Sequence, residues 1–173
     1  MIHNALAIAG SDPSGGAGIQ ADLKVFSAHK VYGMAAITAL TAQNTTGVSA
    51  IHTPSADFVA KQFRMVFADI RVDAVKVGMI ANAEIAEAVA ITLREVKAKN
   101  IVLDPVMIAK GGSPLLREEP MGTMRDMLVP LADILTPNLP EAAALLSQSE
   151  AENREDMLSQ AKALLGLGAR NVY

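Results

Sequence analysis

Short apolar runs of strand length alternate with helical patterns along the whole of this 173-residue chain. Regular alternation of this kind predicts a parallel sheet, because neighbouring parallel strands need a long crossover that is usually a helix. The crossover helices then cover both faces of the sheet. The strand candidates are Ala5–Ala9, Ala35–Ala42, Ala74–Val77, Ile101–Leu103 and Ile134–Leu135, followed by the start of a further strand at Asn171–Tyr173.

The helix patterns between these runs repeat apolar residues three or four positions apart. No internal repeat and no linker interrupts them, so we predict a single α/β domain over residues 1–173. The apolar residues of the successive patterns are Ile19, Leu23 and Phe26; Val59, Phe63, Val66 and Phe67; Ile85, Val89, Leu93 and Val96; Met121, Met124 and Leu128; and Met157, Leu158, Ala161, Leu164 and Leu165.

Composition argues against several classes of protein. Hydrophobic residues make up 51% of the chain and charged residues 19%, which is typical of a globular domain with buried strands. The formal net charge of −3 and the lack of a basic run argue against a nucleic-acid partner. The sequence has no cysteine, which excludes disulfides, thiolate metal ligands and a thiol nucleophile within these residues. It shows no targeting signal and no apolar stretch of membrane-spanning length, so we predict a cytoplasmic protein without a membrane partner.

The first apolar run leads into a loop, from Gly10 to Gly18, that is rich in glycine, serine, aspartate and proline. A strand, a glycine turn and a helix N-terminus together direct several backbone N–H groups toward one point. This arrangement predicts a nearby site for an anionic or strongly hydrogen-bonding small molecule. A Walker A loop is excluded, because Gly15 is followed by a glycine instead of the required lysine.

Part of the same loop, Gly16-x-Gly18-x-x-Ala21, fits the glycine pattern of dinucleotide-binding oxidoreductases. That pattern also requires an acidic residue near the end of the second strand, where this sequence has Gln43. The match is therefore weak. A dinucleotide-binding oxidoreductase stays an alternative that binding of a nicotinamide cofactor would test.

Each predicted strand ends in small or polar residues. Ligands of open α/β sheets bind beyond the carboxyl ends of the strands, so we expect these exits to form one pocket. Asp104 and Thr136 each precede a proline, which favours extended backbone and holds them at the strand tips. The exits are Gly10–Asp12, Gln43–Thr45, Gly78–Met79, Asp104–Pro105 and Thr136–Asn138.

The segment from Asn138 to Glu141 allows two interpretations. Pro140 near the first helical position and Glu141 in the first turn are typical of a capped helix start. Alternatively, the carboxylates of Glu141 and Asp104 hold Mg²⁺ directly or through water, since Mg²⁺ commonly takes one or two carboxylates plus substrate phosphates. The residues alone leave both interpretations open.

Several segments form a linked set of motifs in chain order. They are Ala9–Lys24, Thr38–Asn44, Lys76–Met79, Val102–Met107 and Thr136–Ala142. Together they closely resemble the hydroxymethylpyrimidine/phosphomethylpyrimidine kinases of thiamine biosynthesis, within the ribokinase-like superfamily. The resemblance covers essentially the whole chain and implies a ribokinase-like three-layer α/β/α fold. It also implies ATP-dependent phosphorylation of 4-amino-5-hydroxymethyl-2-methylpyrimidine and its monophosphate, with Mg²⁺ as cofactor.

The resemblance assigns roles to residues at the strand exits. In such enzymes the pyrimidine lies against the first glycine loop, and the Gln43 amide would offer a donor and an acceptor to the aminopyrimidine edge. Met79 and Val106 would supply apolar walls for the ring. The implied substrate-binding residues are Gly10, Ala17, Asp22, Gln43, Met79 and Val106, the metal ligands are Asp104 and Glu141, and the nucleotide- or phosphate-binding residues are Asn138 and Lys110.

Relatives continue beyond the position of Tyr173, into a glycine-rich anion hole that carries the residue assigned to activating the substrate hydroxyl. The resemblance therefore implies that the catalytic residues lie outside this chain, which looks like the N-terminal two-thirds of such a kinase. The strand start at Asn171–Tyr173 supports the same expectation of a missing C-terminal part. We expect no ATP turnover from these 173 residues alone, and a homodimer for the complete protein.

Two related functions stay open beside the pyrimidine kinase. The first is pyridoxal kinase activity, since pyridoxal is also a small aromatic ring with a hydroxymethyl group. The second is a non-catalytic module that keeps the pyrimidine pocket as a sensor. Turnover measured on pyridoxal and on hydroxymethylpyrimidine would separate the two kinases.

Overall fold

A computed structural model describes residues 1–106 and 118–173 of the chain. Lys110 lies outside the described residues. The strands are β1 (Asn4–Ala9), β2 (Tyr32–Ile37), β3 (Leu40–Asn44), β4 (Gly47–His52), β5 (Ala74–Val77), β6 (Ile101–Leu103) and β7 (Ile134–Leu135). The helices are α1 (Gly18–Ala28), α2 (Ala56–Asp69), α3 (Ala83–Glu95), α4 (Glu118–Thr123), α5 (Leu139–Leu146) and α6 (Arg154–Gly166). Within the described ranges, no helix has the length and apolar character needed to span a membrane.

Five strands form a parallel sheet in the order β2-β1-β5-β6-β7, with β5 at its centre. A parallel bridge between Leu135 and Val172 places the last residues of the chain beside β7. This sheet and its helical crossovers confirm the predicted α/β fold class. Because the strands are parallel, their carboxyl ends lie together at one edge.

Side-chain alternation along the strands separates the two faces of the sheet. Leu6 and Ile8 of β1 are fully buried in the large core that α2 and α3 cover. Ala7 of the same strand points the opposite way and packs with Ile19 of α1. In β5 the same alternation turns Lys76 toward the face that α1 covers, at the edge where the strands end.

The predicted second strand, Ala35–Ala42, has the wrong bounds. Strand β2 ends at Ile37, and the chain leaves the sheet at the fully buried Thr38. The Thr38 N–H donates to the carbonyl of Ala9 (3.0 Å), and its hydroxyl donates to the carbonyl of Met79 (2.6 Å). Strands β3 and β4 then form a separate antiparallel hairpin that the sequence analysis missed. The run from Ala35 to Ala42 shows no sign of the strand end at Ile37. Thr38 can be buried within this run because carbonyls in other parts of the fold accept its hydrogen bonds.

The helix predicted around Met121, Met124 and Leu128 exists in two parts. Helix α4 ends at Thr123, and a π-helical turn over Met124–Leu128 carries the chain onward. Met124 and Leu128 are both buried in the large core, so the predicted inward face is confirmed for these two residues.

The apolar pattern of the last predicted helix is buried only in part. Helix α6 forms where expected, but Met157, Leu158 and Leu165 are 47%, 54% and 43% exposed. Leu164 is buried, together with the polar Gln160. Helix α6 packs against α5, so only a narrow stripe of it is covered.

Candidate active site

The carboxyl ends of the strands surround a cavity of about 720 Å³. It lies between the glycine loop, the β3–β4 hairpin and the residues that follow β5, β6 and β7. The structure therefore brings together the residues that the sequence analysis placed at the site, apart from Lys110. Their individual roles stay predictions. The predicted residues that line the cavity are Gly10, Ala17, Asp22, Gln43, Met79, Asp104, Val106, Asn138 and Glu141.

Asp12 organises the glycine loop from within. Its buried carboxylate accepts hydrogen bonds from the N–H groups of Ser14, Gly16 and Ala17 at 2.8–3.0 Å, and from the Ser14 hydroxyl at 2.7 Å. These N–H groups belong to the set that the sequence analysis offered to an anionic ligand. Because the protein's own carboxylate uses them, the expectation of an anion site is wrong for these three groups.

The same hydrogen bonds control the ionisation of Asp12. Burial acts to raise the pKa of this carboxyl, but the bonds from Ser14, Ala17 and Gly16 outweigh it and hold the pKa below its ordinary value of 3.8. A carboxyl with a depressed pKa stabilises the folded state at pH values above its unfolded pKa. That stabilisation is lost as the pH falls through the folded pKa.

We therefore expect Asp12→Asn to lower the free energy of unfolding by about 1–3 kcal/mol near neutral pH, because a hydrogen-bonded carboxylate is lost. The difference from the wild type should shrink as the pH falls below about 4, where Asp12 of the unfolded chain takes up a proton, and should vanish below the lower pKa of the folded state. Urea unfolding near pH 7 and near pH 3 measures this. Asp57→Asn is the matched control, since Asp57 forms an exposed surface pair with Lys61. A stability difference that does not change with pH would contradict the assignment.

The β3–β4 hairpin brings Gln43 to the cavity. Its turn is closed by Asn44, whose side-chain oxygen accepts hydrogen bonds from Thr46 and Gly47. The strand register shifts between Ala42 and Gln43, and such irregularities redirect side chains beside binding sites. Gln43 lies near the glycine loop as predicted, but it belongs to the antiparallel hairpin and does not follow a strand of the parallel sheet.

Ser11 joins this hairpin to the glycine loop. Its N–H donates to the carbonyl of Ala39 at 2.8 Å, and its own carbonyl accepts from the Thr41 hydroxyl at 2.8 Å. The two bonds lie on either side of the point where the chain enters β3. The position of the hairpin over the cavity therefore depends on the loop.

Met79 lies against Gly10 on the cavity wall. A Cβ atom at position 10 would collide with the Met79 methyl group, so glycine is needed for Met79 to occupy this place. The thioether of Met79 and the side chain of Val106 both line the cavity. A flexible thioether beside an aliphatic side chain provides an apolar surface on which a flat ring can lie.

Among the described residues that line the cavity, Lys76 carries the positive charge. Its Nζ atom lies 3.3 Å from Oδ1 of Asp22 and 3.2 Å from Oδ2 of Asp104. Burial raises the pKa of Asp22 above its ordinary value, Lys76 opposes this, and the Asp104 carboxylate adds to it. Lys76 was not among the residues predicted for the site. Its position inside the short strand Ala74–Val77 is nevertheless a usable signal, because a lysine in a largely buried strand needs a charged partner.

Asn138 and Glu141 form the capping box that one of the two interpretations predicts. The Glu141 N–H donates to Oδ1 of Asn138, and the Asn138 N–H donates to Oε2 of Glu141, both at 2.9 Å. Both residues also line the cavity. Among the described residues, no group of three histidine, cysteine, aspartate or glutamate side chains could hold a metal ion. A divalent cation bound here would therefore need ligands in addition to these described side chains, and water or substrate oxygens commonly supply them.

Comparison with known sequences identifies the family. A family model described as phosphomethylpyrimidine kinase matches residues 12–173. The chain belongs to the phosphomethylpyrimidine kinase family. The hydroxymethylpyrimidine/phosphomethylpyrimidine kinase of Escherichia coli is 53% identical to it over 169 residues, which are 98% of this chain and 64% of that protein. The pyridoxine kinase of Bacillus subtilis is 43% identical, over 99% of this chain and 64% of that protein.

Solved structures of phosphomethylpyrimidine kinase relatives share the fold. The crystal structure of phosphomethylpyrimidine kinase from Clostridium difficile superposes with a TM-score of 0.92 at 46% identity, covering 98% of this chain and 73% of that one. The ADP complex of Bacillus subtilis pyridoxal kinase gives a TM-score of 0.90 at 42% identity, covering 99% and 65%. These likenesses confirm the predicted ribokinase-like α/β/α fold. The chain spans 64% of the length of the Escherichia coli relative.

Proposed function

We propose that this chain acts in the ATP-dependent phosphorylation of 4-amino-5-hydroxymethyl-2-methylpyrimidine and its monophosphate, in thiamine biosynthesis. The observation that carries the proposal is the cavity at the ends of the strands. An amide, an apolar wall and a set of charged side chains line the same space there. Relatives that bear the name of this kinase match nearly the whole chain.

The ring would bind on the side of the glycine loop and the hairpin. Met79 and Val106 offer apolar surface, and Gln43 offers both a donor and an acceptor to the edge of an aminopyrimidine. Asp22 lines the same cavity and is 16% exposed, so a hydrogen bond from a ring substituent to its carboxylate would be well shielded from water.

The phosphates would bind on the side of Asp104, Asn138 and Glu141. The donor set suits Mg²⁺, since two carboxylates line one cavity and leave the remaining positions to water and phosphate oxygens. Asp104 and Glu141 would hold the ion, directly or through water. When bound, Mg²⁺ neutralises charge on the phosphates of ATP. The residues of this chain bind and orient the two substrates so that the acceptor oxygen faces the terminal phosphate of ATP. The acceptor is the hydroxymethyl oxygen of the alcohol or, for the monophosphate, an oxygen of its phosphate group.

Replacing Glu141 separates its capping role from a metal role. Glutamine keeps an oxygen that accepts the Asn138 N–H, so Glu141→Gln should preserve the cap, whereas Glu141→Ala should cost about 1 kcal/mol of stability. We expect Glu141→Gln in the complete gene product to raise the Mg²⁺ concentration needed for half-maximal turnover by about tenfold, since one ligand charge is lost. Pyrimidine affinity should change little.

Magnesium titrations of turnover and melting curves, run on both variants, measure these effects. Asp156→Asn is the matched control, since Asp156 belongs to the N-terminal cap of α6 and does not line the cavity. If Glu141→Gln titrates with magnesium as the wild type does, Glu141 is only a capping residue.

The alternative is a pyridoxal kinase. It is favoured by one observation, the likeness of the chain to the pyridoxine and pyridoxal kinases of Bacillus subtilis at 43% and 42% identity. Calorimetric titration of the chain with hydroxymethylpyrimidine and with pyridoxal compares the two ring systems directly. Phosphorylation of both compounds by the complete gene product then tests the reaction. Tighter binding and faster phosphorylation of pyridoxal would replace the proposed function by the alternative.

We also propose that the complete protein is a homodimer, that it works in the cytoplasm, and that residues 1–173 form one domain. The buried core supports the last point, since it combines residues from β1 through to Ala169. Light scattering of the purified complete protein tests the dimer. Urea unfolding of the 173-residue chain, followed by fluorescence and by circular dichroism, tests the single domain.

A further inference from the structure

We propose that Lys76 is a positioning residue whose ammonium group serves as a built-in cation between Asp22 and Asp104. It holds one carboxylate toward the ring and the other toward the phosphates. It also keeps a divalent cation out of the space between the two carboxylates. The orientation toward ring and phosphates rests on the proposed function, whereas the exclusion of a cation can be tested without it.

Three separate parts of the fold meet at this lysine. Lys76 lies on the central strand β5, Asp22 on α1, and Asp104 directly after β6. The ammonium nitrogen is 3.3 Å from Oδ1 of Asp22, 3.4 Å from Oδ2 of the same carboxylate, and 3.2 Å from Oδ2 of Asp104. It therefore touches both oxygens of one carboxylate and one oxygen of the other.

Gly78 leaves the lysine the room that it needs. A Cβ atom at position 78 would lie 2.8 Å from Nζ of Lys76 and 3.1 Å from Cβ of Ala9. A larger residue at this place would therefore push the amine away from its partners. Glycine at position 78 therefore leaves the amine the space beside the two carboxylates.

Among the described residues that line the cavity, Lys76 is the positively charged side chain that faces Asp22 and Asp104. Its side chain is 23% exposed, those of Asp22 and Asp104 are 16% and 34% exposed, and all three line the cavity. Two carboxylates that share such a space repel each other unless a cation lies between them. Without the lysine, their oxygens form the type of site that a hard divalent cation takes. The ammonium group occupies that place, so a metal ion would have to approach Asp104 from a side that Lys76 does not cover.

The test uses Lys76→Met, which replaces lysine by an unbranched side chain one atom shorter and removes the charge. Manganese serves as the probe, and its binding to the chain without nucleotide is followed by electron paramagnetic resonance. We expect Lys76→Met to bind Mn²⁺ at least about tenfold more tightly than the wild type, because two carboxylates become available to the ion. The double variant Lys76→Met/Asp22→Asn should lose that gain, since one carboxylate is then neutral.

Lys61→Met is the matched control, since Lys61 forms an exposed pair with Asp57 and does not line the cavity. It should leave Mn²⁺ binding unchanged. Should Lys76→Met not fold, Lys76→Gln removes the same charge with a polar side chain of similar length. Unchanged Mn²⁺ affinity in the folded Lys76 variant overturns the exclusion of a cation.

Binding of hydroxymethylpyrimidine, measured by calorimetry without metal, tests the positioning of Asp22. We expect Lys76→Met to weaken it by about tenfold, because Asp22 loses the partner that fixes its orientation. Wild-type affinity in the variant overturns this part of the inference. If the wild-type chain binds no hydroxymethylpyrimidine, the proposed function fails, and the manganese experiment still decides whether Lys76 acts as the built-in cation.

Discussion

Replacing Gly18 with alanine should lower the free energy of unfolding by about 2–4 kcal/mol, the sum of a left-handed backbone penalty and a steric collision. Gly18 begins α1 with a φ of +55°, in the region that residues with a side chain avoid. A Cβ atom there would collide with the carbonyl oxygen of Gly10. That carbonyl accepts the Ile19 N–H at 3.0 Å, so the collision would separate the helix from the end of β1.

Ligand binding should fall together with stability in this variant, because the same junction positions Ala17 and Asp22 at the cavity. Urea unfolding and calorimetric titration of the purified variant measure the two losses. Gly166→Ala is the matched control. Gly166 ends α6, a Cβ atom there meets nothing within 4 Å, and alanine favours a helix. Equal stability of the two alanine variants would show that the Gly10–Gly18 contact does not restrain the loop.

The buried strands of the sheet could be predicted closely from the sequence. Strands β5, β6 and β7 have the predicted bounds, and β1 begins one residue earlier than predicted. Strands of a parallel sheet are covered on both faces and therefore appear as continuous apolar runs, which local sequence reveals directly. The N-terminal cap of α5 could also be predicted, because Asn138 and Glu141 lie only three residues apart and bind each other locally.

The β3–β4 hairpin could not be predicted in this way. The side chains of β3 and β4 are exposed or half-buried. Strands with little buried surface do not need a continuous apolar sequence, so no such run marks them. The break before the hairpin depends on Thr38, whose hydrogen bonds go to Ala9 and Met79 in other parts of the chain. Tertiary contacts of this kind leave no local pattern. The turn between β3 and β4 does have a local sequence pattern. Asn44 followed three residues later by Gly47 is a turn signal that could have been used.

In the candidate site, too, the features that depend on local sequence could be predicted and those that depend on long-range contacts could not. The strand exits were predictable because parallel strands place their carboxyl ends together. The hydrogen bonds of Asp12 were also within reach, since they span only two to five residues. The ion pairs of Lys76 were not, because Asp22 lies 54 residues away in the sequence and Asp104 lies at the end of the neighbouring strand β6.

Replacing Gln43 with alanine should weaken the binding of hydroxymethylpyrimidine by about 5- to 150-fold, which corresponds to about 1–3 kcal/mol for ring groups left without partners in a shielded pocket. The position of Gln43 on the hairpin makes this prediction sharper than the sequence alone did. Gln43 is half-buried and lies outside the main sheet, so its removal should change the free energy of unfolding by no more than about 0.5 kcal/mol.

Gln43→Glu tests the hydrogen bonds separately from the shape. Glutamate has the same size but lacks the amide donor, so it should lose affinity although it fills the same space. Gln148→Ala is the matched control, because Gln148 is exposed after α5 and does not line the cavity. Calorimetric titration of the four proteins with hydroxymethylpyrimidine, together with urea unfolding, gives both quantities. If Gln43→Ala binds the ring as tightly as Gln148→Ala does, then Gln43 does not orient the substrate, and the amide contact must be sought elsewhere on the cavity wall.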